Sequence, residues 1–163
     1  MTKEDIYSYL SCHGVRYEVT NHKPLFSMSE APDVDLPYPE CDAKNLFVRD
    51  DKRKGYYLIT VKGAKRVDLK EFRKAYGLRP LTFASAEDLD AMMHLKPGSV
   101  TPLGLLEDSA SKITLYLDEE FGSGLIGIHP CDNTSTVWIK APELVRILAE
   151  RGIEVRIVRL PVR

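Results

Sequence analysis

Residues 125–139 read Leu-Ile-Gly-Ile-His-Pro-Cys-Asp-Asn-Thr-Ser-Thr-Val-Trp-Ile. Two apolar runs, residues 125–128 and 136–139, flank a polar cluster. The pattern predicts two strands joined by a turn that gathers His129, Asp132, Asn133 and Thr134 in one place. A turn of this kind can hold a small polar ligand through backbone amides and side chains together.

Outward from that hairpin, the remaining elements follow from capping and periodicity. Thr2 with Asp5 forms a capping box for a first helix, Ile6 and Leu10 share its face, and Gly14 ends it. Residues 15–19 alternate like a strand. Residues 24–42 carry four prolines and five acids and read as an irregular segment and a candidate lid. Residues 45–48 and 56–61 are expected strands around a charged turn at 50–55. Asp68 and Glu71 open a second helix that closes at Gly77, with Leu69, Phe72 and Tyr76 as its apolar face. Ser85 with Asp88 caps a third, with Leu89, Met92 and Met93 inward. Residues 112–117 alternate strictly, placing Ile113, Leu115 and Leu117 on one side. Pro142 and Gly152 bracket a last helix, and residues 153–160 finish as a strand. Strands outnumber helices and interleave irregularly, so the expected class is α+β with a mixed, barrel-like sheet and flanking helices.

The chain has 163 residues, enough for one domain with a substantial core. No apolar run reaches the ~20 residues of a membrane span, and the polar N-terminus does not resemble a signal peptide, so no membrane partner and a cytoplasmic location are expected. Three widely spaced cysteines, Cys12, Cys41 and Cys131, do not suggest a disulfide framework or a metal knuckle. The four histidines are scattered without metal-ligand spacing, so neither a metal nor a cofactor is expected.

A net charge of −1 conceals an asymmetry. Residues 51–80 hold ten Lys or Arg against Asp51, Asp68 and Glu71, about +7, whereas residues 86–120 are about −6. A basic segment suits a partner that offers phosphates locally. The same charges also fit an ordinary solvated helix face and turn.

Three further clusters could carry chemistry. Lys44-Asn45 begins the apolar run Leu46-Phe47-Val48, which puts an ammonium at a strand end within reach of a carbonyl or phosphate oxygen. Gly98-Ser99-Val100-Thr101-Pro102 combines backbone access with two hydroxyls, although it lacks the pattern of a phosphate-binding loop. His129, extended because Pro130 follows, is a candidate general base or a side chain that orients one. Cys131 invites a thiol-hydrolase reading, but no orienting third group is visible.

Taken together, Lys44-Asn45-Leu46-Phe47-Val48-Arg49-Asp50, Gly98-Ser99-Val100-Thr101-Pro102, and His129-Pro130 with Asn133-Thr134 and Thr136-Val137 resemble the prolyl-tRNA editing superfamily. This superfamily includes relatives of YbaK and of the editing insertion of bacterial prolyl-tRNA synthetase. The Lys-Asn-Leu-Phe run is most similar to the freestanding ProX branch, which hydrolyses alanine mischarged onto proline tRNA. The resemblance spans nearly the whole chain and implies one editing domain over residues 1–163, with a pocket for the aminoacyl-adenosine end of tRNA.

By the same carry-over, Lys44, Gly127 and His129 are the expected catalytic positions. Asn45, Ser99, Thr101, Ile128, Pro130 and Asn133 are expected to line the substrate. Leu103 stands where this branch often has an aromatic residue. Lys52, Arg53, Lys54, Lys65 and Arg66 are the expected tRNA contacts, and prolyl-tRNA synthetase is a further expected partner. Two alternatives stay open at this point: removal of another small residue such as cysteine or serine, and a non-catalytic tRNA-binding module of the same fold.

Overall fold

A computed structural model describes residues 1–24 and 35–163. The strands are β1 (Glu18–Asn21), β2 (Ala43–Asp50), β3 (Tyr56–Lys62), β4 (Leu81–Phe83), β5 (Ile113–Asp118), β6 (Leu125–Ile128), β7 (Ser135–Lys140) and β8 (Val155–Val158). The α-helices are α1 (Lys3–Cys12), α2 (Leu69–Ala75), α3 (Ala86–Met93) and α4 (Ala141–Glu150). Five strands form a mixed sheet in the order β4-β2-β3-β5-β8, and three form an antiparallel sheet in the order β1-β7-β6.

The α+β class is as expected, but neither sheet closes into a barrel. Closure needs continuous hydrogen bonding around the ring. Here β6 meets β2 only through a parallel bridge between Asp42 and Gly127, while β4 pairs the far end of the same edge at Val48–Asp50. The stretch between them is left open.

The helix ends follow their caps. Thr2 and Asp5 exchange both capping-box bonds at α1, and Ser85 and Asp88 do the same at α3. Asp68 accepts from Glu71 N at α2. Gly14 adopts φ +70°, and Val15 N donates back to Leu10 O. That closing turn engages residues 13–15, so the first strand starts at Glu18 rather than at residue 15. At the C-terminus β8 is four residues long, shorter than the 153–160 run expected.

The main core lies between the two sheets, with α1, α3 and α4 packed on it; Ile6, Leu10, Leu58, Leu115, Ile126, Val137, Ile139, Leu144 and Leu148 are all fully buried there. Along β5, Ile113, Leu115 and Leu117 join this core as the alternation predicts. Tyr116, facing the other way, is also buried, against Val48, Ile59, Val61 and Phe72 in a second cluster under α2. β5 lies between the parallel neighbours β3 and β8, and parallel strands are commonly covered on both faces. Short β4 was not anticipated from the sequence.

Candidate active site

The open stretch of β2 carries Lys44 and Asn45, and His129 follows β6, the strand that bridges its start. Because a strand's backbone groups alternate sides, Asp50 N bonding to Gly55 O and Phe47 O accepting from Ala84 N fix which residues face which neighbour. Asn45 therefore turns its N–H and C=O to the open edge, and among the described residues neither has a partner. Lys44 pairs with Val61 on the β3 side, half-buried. The parallel bridge at Asp42 runs the start of β2 alongside β6, so Lys44 lies beside the end of β6, where His129 follows Ile128.

The hairpin forms as the sequence predicts, with Gly127 opposite Trp138 and Ile128 opposite Val137. Val137 and Ile139 face the core, while Trp138 and Thr136 face away from it. On that outer face a Cβ at Gly127 would lie 2.3 Å from the indole, so glycine is needed for the ring to fit. Tyr38 packs edge-on against Trp138, whose Nε1 donates to Thr20 Oγ1 at 2.9 Å. His129 Nδ1 lies 3.0 Å from Ser135 O. A carbonyl can only accept, so Nδ1 carries the proton and Nε2 presents a lone pair. Burial holds the His129 imidazole below its ordinary pKa, with His22 adding to that shift and Ser135 and Asp132 opposing it. A neutral ring with a fixed tautomer can accept a proton.

His22 is one of the four scattered histidines, and nothing in the sequence alone marks it as a site residue. It follows β1, and its ring lies 6.2 Å from that of His129, with Nε2 accepting from Thr136 Oγ1 at 2.8 Å. Only the β1–β7 pairing brings the two together, across 107 residues of sequence, and no local pattern signals it. Asp42 was missed as well. It is 9% exposed, and desolvation pushes its carboxyl up to about 6.

The other expected positions divide. Beside the open edge of β2 is a cavity of ≈ 200 Å³ lined by Asn45, Phe47, Phe83, Leu89, Gly98 and Val100 among others, with Ser99 between two of its lining residues. Asn133 is half-exposed in the hairpin turn, where Asp132 Oδ1 accepts from Thr134 N at 2.7 Å. Ile128 and Pro130 are buried, and Ile128 belongs to the main core, so its side chain does not line a site. Thr101 is fully buried. Its Oγ1 donates to His129 O at 2.6 Å and accepts from Leu103 N, so it ties the two loops together and is not free to meet a ligand. Leu103 is fully buried in the main core. Burial pushes the Cys131 thiol up to about 12, which removes it as a nucleophile near neutral pH. Among the described residues no group of three or more His, Cys, Asp or Glu side chains could hold a metal ion, and no helix is long and apolar enough to cross a membrane.

A family model described as the aminoacyl-tRNA editing domain matches residues 22–147. The chain belongs to that family. Its match begins at His22 and ends within α4, so it contains the open edge of β2, the 97–102 loop and the whole hairpin. Among curated proteins, the prolyl-tRNA editing protein ProX of Acetoanaerobium sticklandii is 28% identical over 151 residues, covering 92% of each chain. The prolyl-tRNA synthetase associated domain-containing protein 1 of Bos taurus is 27% identical over 148 residues, covering 88% of this chain and 86% of its own. Of solved structures, one described as a candidate trans-editing enzyme for prolyl tRNA synthetase superposes with a TM-score of 0.70 at 21% identity, covering 98% and 96% of the two chains. A scaffold from epitope backbone grafting superposes at 0.75 with 20% identity, covering 98% and 96%. These two likenesses establish the fold. Editing an aminoacyl-tRNA is hydrolysis of its ester, so this editing domain is a hydrolase.

On the editing domain the basic residues occupy two separate ends. Lys52, Arg53 and Lys54 form the exposed β2–β3 turn, six strand residues from Lys44 and so about 20 Å away. Arg66 lies at the Lys44 end, where β3 finishes. Lys65, also expected to bind tRNA, sits there too, but its ammonium is held at 2.8 Å by both Asp118 and Glu120. That pairing neutralises it, which counts against its role as a phosphate contact. The antiparallel bridge between Val67 and Val162 sets Arg163 opposite Arg66, with Arg163 N donating to Arg66 O.

Proposed function

We propose that this chain, residues 1–163 as one domain, removes alanine mischarged onto proline tRNA, acting in trans. The observation that carries the reading is the unpaired edge of β2, beside which Lys44, Asn45 and a neutral His129 stand. The names of the curated relatives, ProX above all, support proline tRNA as the substrate class.

The chemistry needs little. An aminoacyl ester is already activated, so holding a water in line and stabilising the developing oxyanion suffices. His129 Nε2 accepts hydrogen from that water as it attacks the ester carbonyl. The Lys44 ammonium or an open-edge amide stabilises the oxyanion, and the ribose oxygen leaves with the returned proton. Gly127 admits Trp138 behind the hairpin and thereby positions His129.

Selectivity follows from size. A site built for proline cannot strongly reject a smaller residue, since a methylene or two is worth about 1–3 kcal/mol. A second pocket that admits alanine and clashes with the proline ring sorts the two by exclusion. Residues 24–42 were read as a lid; residues 25–34 of that segment lie outside the described residues. Partnership with prolyl-tRNA synthetase belongs to the same proposal.

The test is deacylation of alanyl- and prolyl-charged proline tRNA by the wild type and by Lys44→Ala. Loss of alanine alone, abolished by Lys44→Ala, is the expected result. Equal hydrolysis of both substrates would refute size exclusion, and hydrolysis of only cysteinyl or seryl tRNA would reassign the substrate.

A further inference from the structure

We propose that Lys3 is a positioning residue for His129: from α1 it holds the 132–135 turn in the form that fixes the imidazole. This rests on the deacylase reading above. The helix α1 lies outside residues 22–147, the stretch that the family model matches, so the contribution comes from beyond that stretch.

The helix aims this side chain at the hairpin. A capping box between Thr2 and Asp5 fixes its first turn, and Ile6 and Leu10, both fully buried, anchor it on the main core. Lys3, Ile6 and Leu10 are spaced three and four apart, so they share one face. A cation in a first helical turn opposes the helix dipole, so the helix itself gains nothing from a lysine here.

The Lys3 ammonium lies 3.3 Å from Thr134 Oγ1 and 3.5 Å from Ser135 Oγ. An ammonium has only donors, so both hydroxyls accept from it and each keeps one proton to give. Thr134 Oγ1 donates to Asp132 Oδ1, and Ser135 Oγ donates to Asn21 Oδ1 at 2.7 Å. Ser135 is fully buried, and its carbonyl accepts from His129 Nδ1 at 3.0 Å. One residue thus receives Lys3 on its side chain and His129 on its backbone.

Both contacts of Lys3 are at the long end of the hydrogen-bond range, so its larger contribution is charge beside the Asp132 carboxylate. Bonds from Thr134 hold that carboxyl below its ordinary pKa, and Lys3 and His129 add to the shift. Asp132 in turn favours protonation of His129, an effect that the nearby ammonium offsets. Around the ring, the other titratable groups are His22 after β1, with Asp42, bridged to Gly127, and Lys44 on the β2 side. The 97–101 loop, bonded to the His129 carbonyl through Thr101, brings no charge.

The experiment follows the His129 imidazole by NMR titration, beside the pH profile of kcat/KM on alanyl-charged proline tRNA. It compares the wild type with Lys3→Met, Lys3→Arg and Asp132→Asn. Lys3→Met removes the charge and keeps an apolar stem. It is expected to ease protonation of His129, to move the acid limb to higher pH and to lower kcat roughly tenfold with KM little changed. Lys3→Arg is expected to restore both. Asp132→Asn keeps an acceptor for Thr134 but removes the carboxylate, so the limb should move to lower pH instead. A fall in Tm for Lys3→Met with an unmoved His129 titration would make Lys3 a structural residue only and overturn the proposal. An unmoved titration with unchanged kcat would overturn it too, and would leave the deacylase reading intact. If the wild type hydrolysed none of the charged tRNAs, the deacylase reading would fall and the titration would decide alone. Opposite shifts in Lys3→Met and Asp132→Asn uphold the coupling of Lys3 to His129, and their absence rejects it.

Discussion

The imidazoles of His22 and His129 lie 6.2 Å apart, one on each side of β7. His22 Nδ1 lies 2.7 Å from Lys23 O, so its proton is on Nδ1 and Nε2 accepts from Thr136. Each ring is thus held in one tautomer by a backbone carbonyl. His22 also disfavours protonation of His129.

This coupling predicts a pH effect. Activity that needs neutral His129 falls as pH drops through its depressed pKa. His22→Gln keeps an acceptor for Thr136 but removes the ring that disfavours protonation of His129, so the acid limb of the pH–rate profile moves to higher pH. The profile of kcat/KM on alanyl-tRNA measures it, and an unshifted limb would show that the rings act independently.

Asp42 predicts a stability effect of opposite sign to the usual carboxylate. Its folded pKa, about 6, lies above the ordinary 3.8. Its favourable contribution is therefore complete below the unfolded pKa near 4 and is lost as pH rises through about 6. At pH 7.5, Asp42→Asn should be more stable than the wild type, by up to about 3 kcal/mol. The gain should vanish near pH 4. Urea denaturation at both pH values decides it, and a gain that persisted at pH 4 would contradict the assignment.

Gly127→Ala drives a methyl group into the Trp138 indole. Overpacking of this kind costs about 1–3 kcal/mol, and for a chain of this size that lowers Tm by roughly 5 °C. Trp138 is the only tryptophan, so its fluorescence should change too. Unaltered melting and emission would show that the hairpin adjusts freely.

Arg66 and Arg163 face each other across a bridge, and among the described residues neither has a carboxylate within ion-pairing distance. Like charges placed opposite one another are destabilising, and a phosphate between them would relieve the repulsion. Arg66→Glu should weaken binding of both full tRNA and its 3′-terminal tetranucleotide, reducing the salt slope by about 1. Reversing Lys52, Arg53 and Lys54, about 20 Å from Lys44 along β2, should weaken only the full tRNA. Equal effects of the two reversals on the tetranucleotide would remove the distinction.

Cys131→Ala should retain deacylation, because a thiol held near 12 supplies no thiolate at neutral pH. Loss of activity with an unchanged Tm would reinstate the thiol.

Much of the fold was legible because its signals are local. The capping boxes at Thr2–Asp5 and Ser85–Asp88, the glycine stop at Gly14 and the β6–β7 hairpin each depend on residues a few positions apart. Lys44, Asn45 and His129 were singled out in the sequence; the structure sets the first two on β2 and His129 just past β6, the strand that bridges the start of β2. Gly127, Thr101 and Ile128 drew attention in the same way, but the sequence could not separate residues that face a ligand from those that hold the loops in place. Burial makes that separation, through the Trp138 ring for Gly127, the His129 carbonyl for Thr101 and the core for Ile128.

The sequence by itself determined the elements, the hairpin and the family resemblance, because periodicity, capping and motif order are written along the chain. Only the tertiary structure decided that the sheets stay open and that β6 and β4 leave a gap on β2. The same holds for the meeting of His22 with His129, the pairing of Lys65 with Asp118, and the placing of Arg163 opposite Arg66. Each of these depends on strand pairing between distant segments, and register across a sheet is set by which faces become buried together.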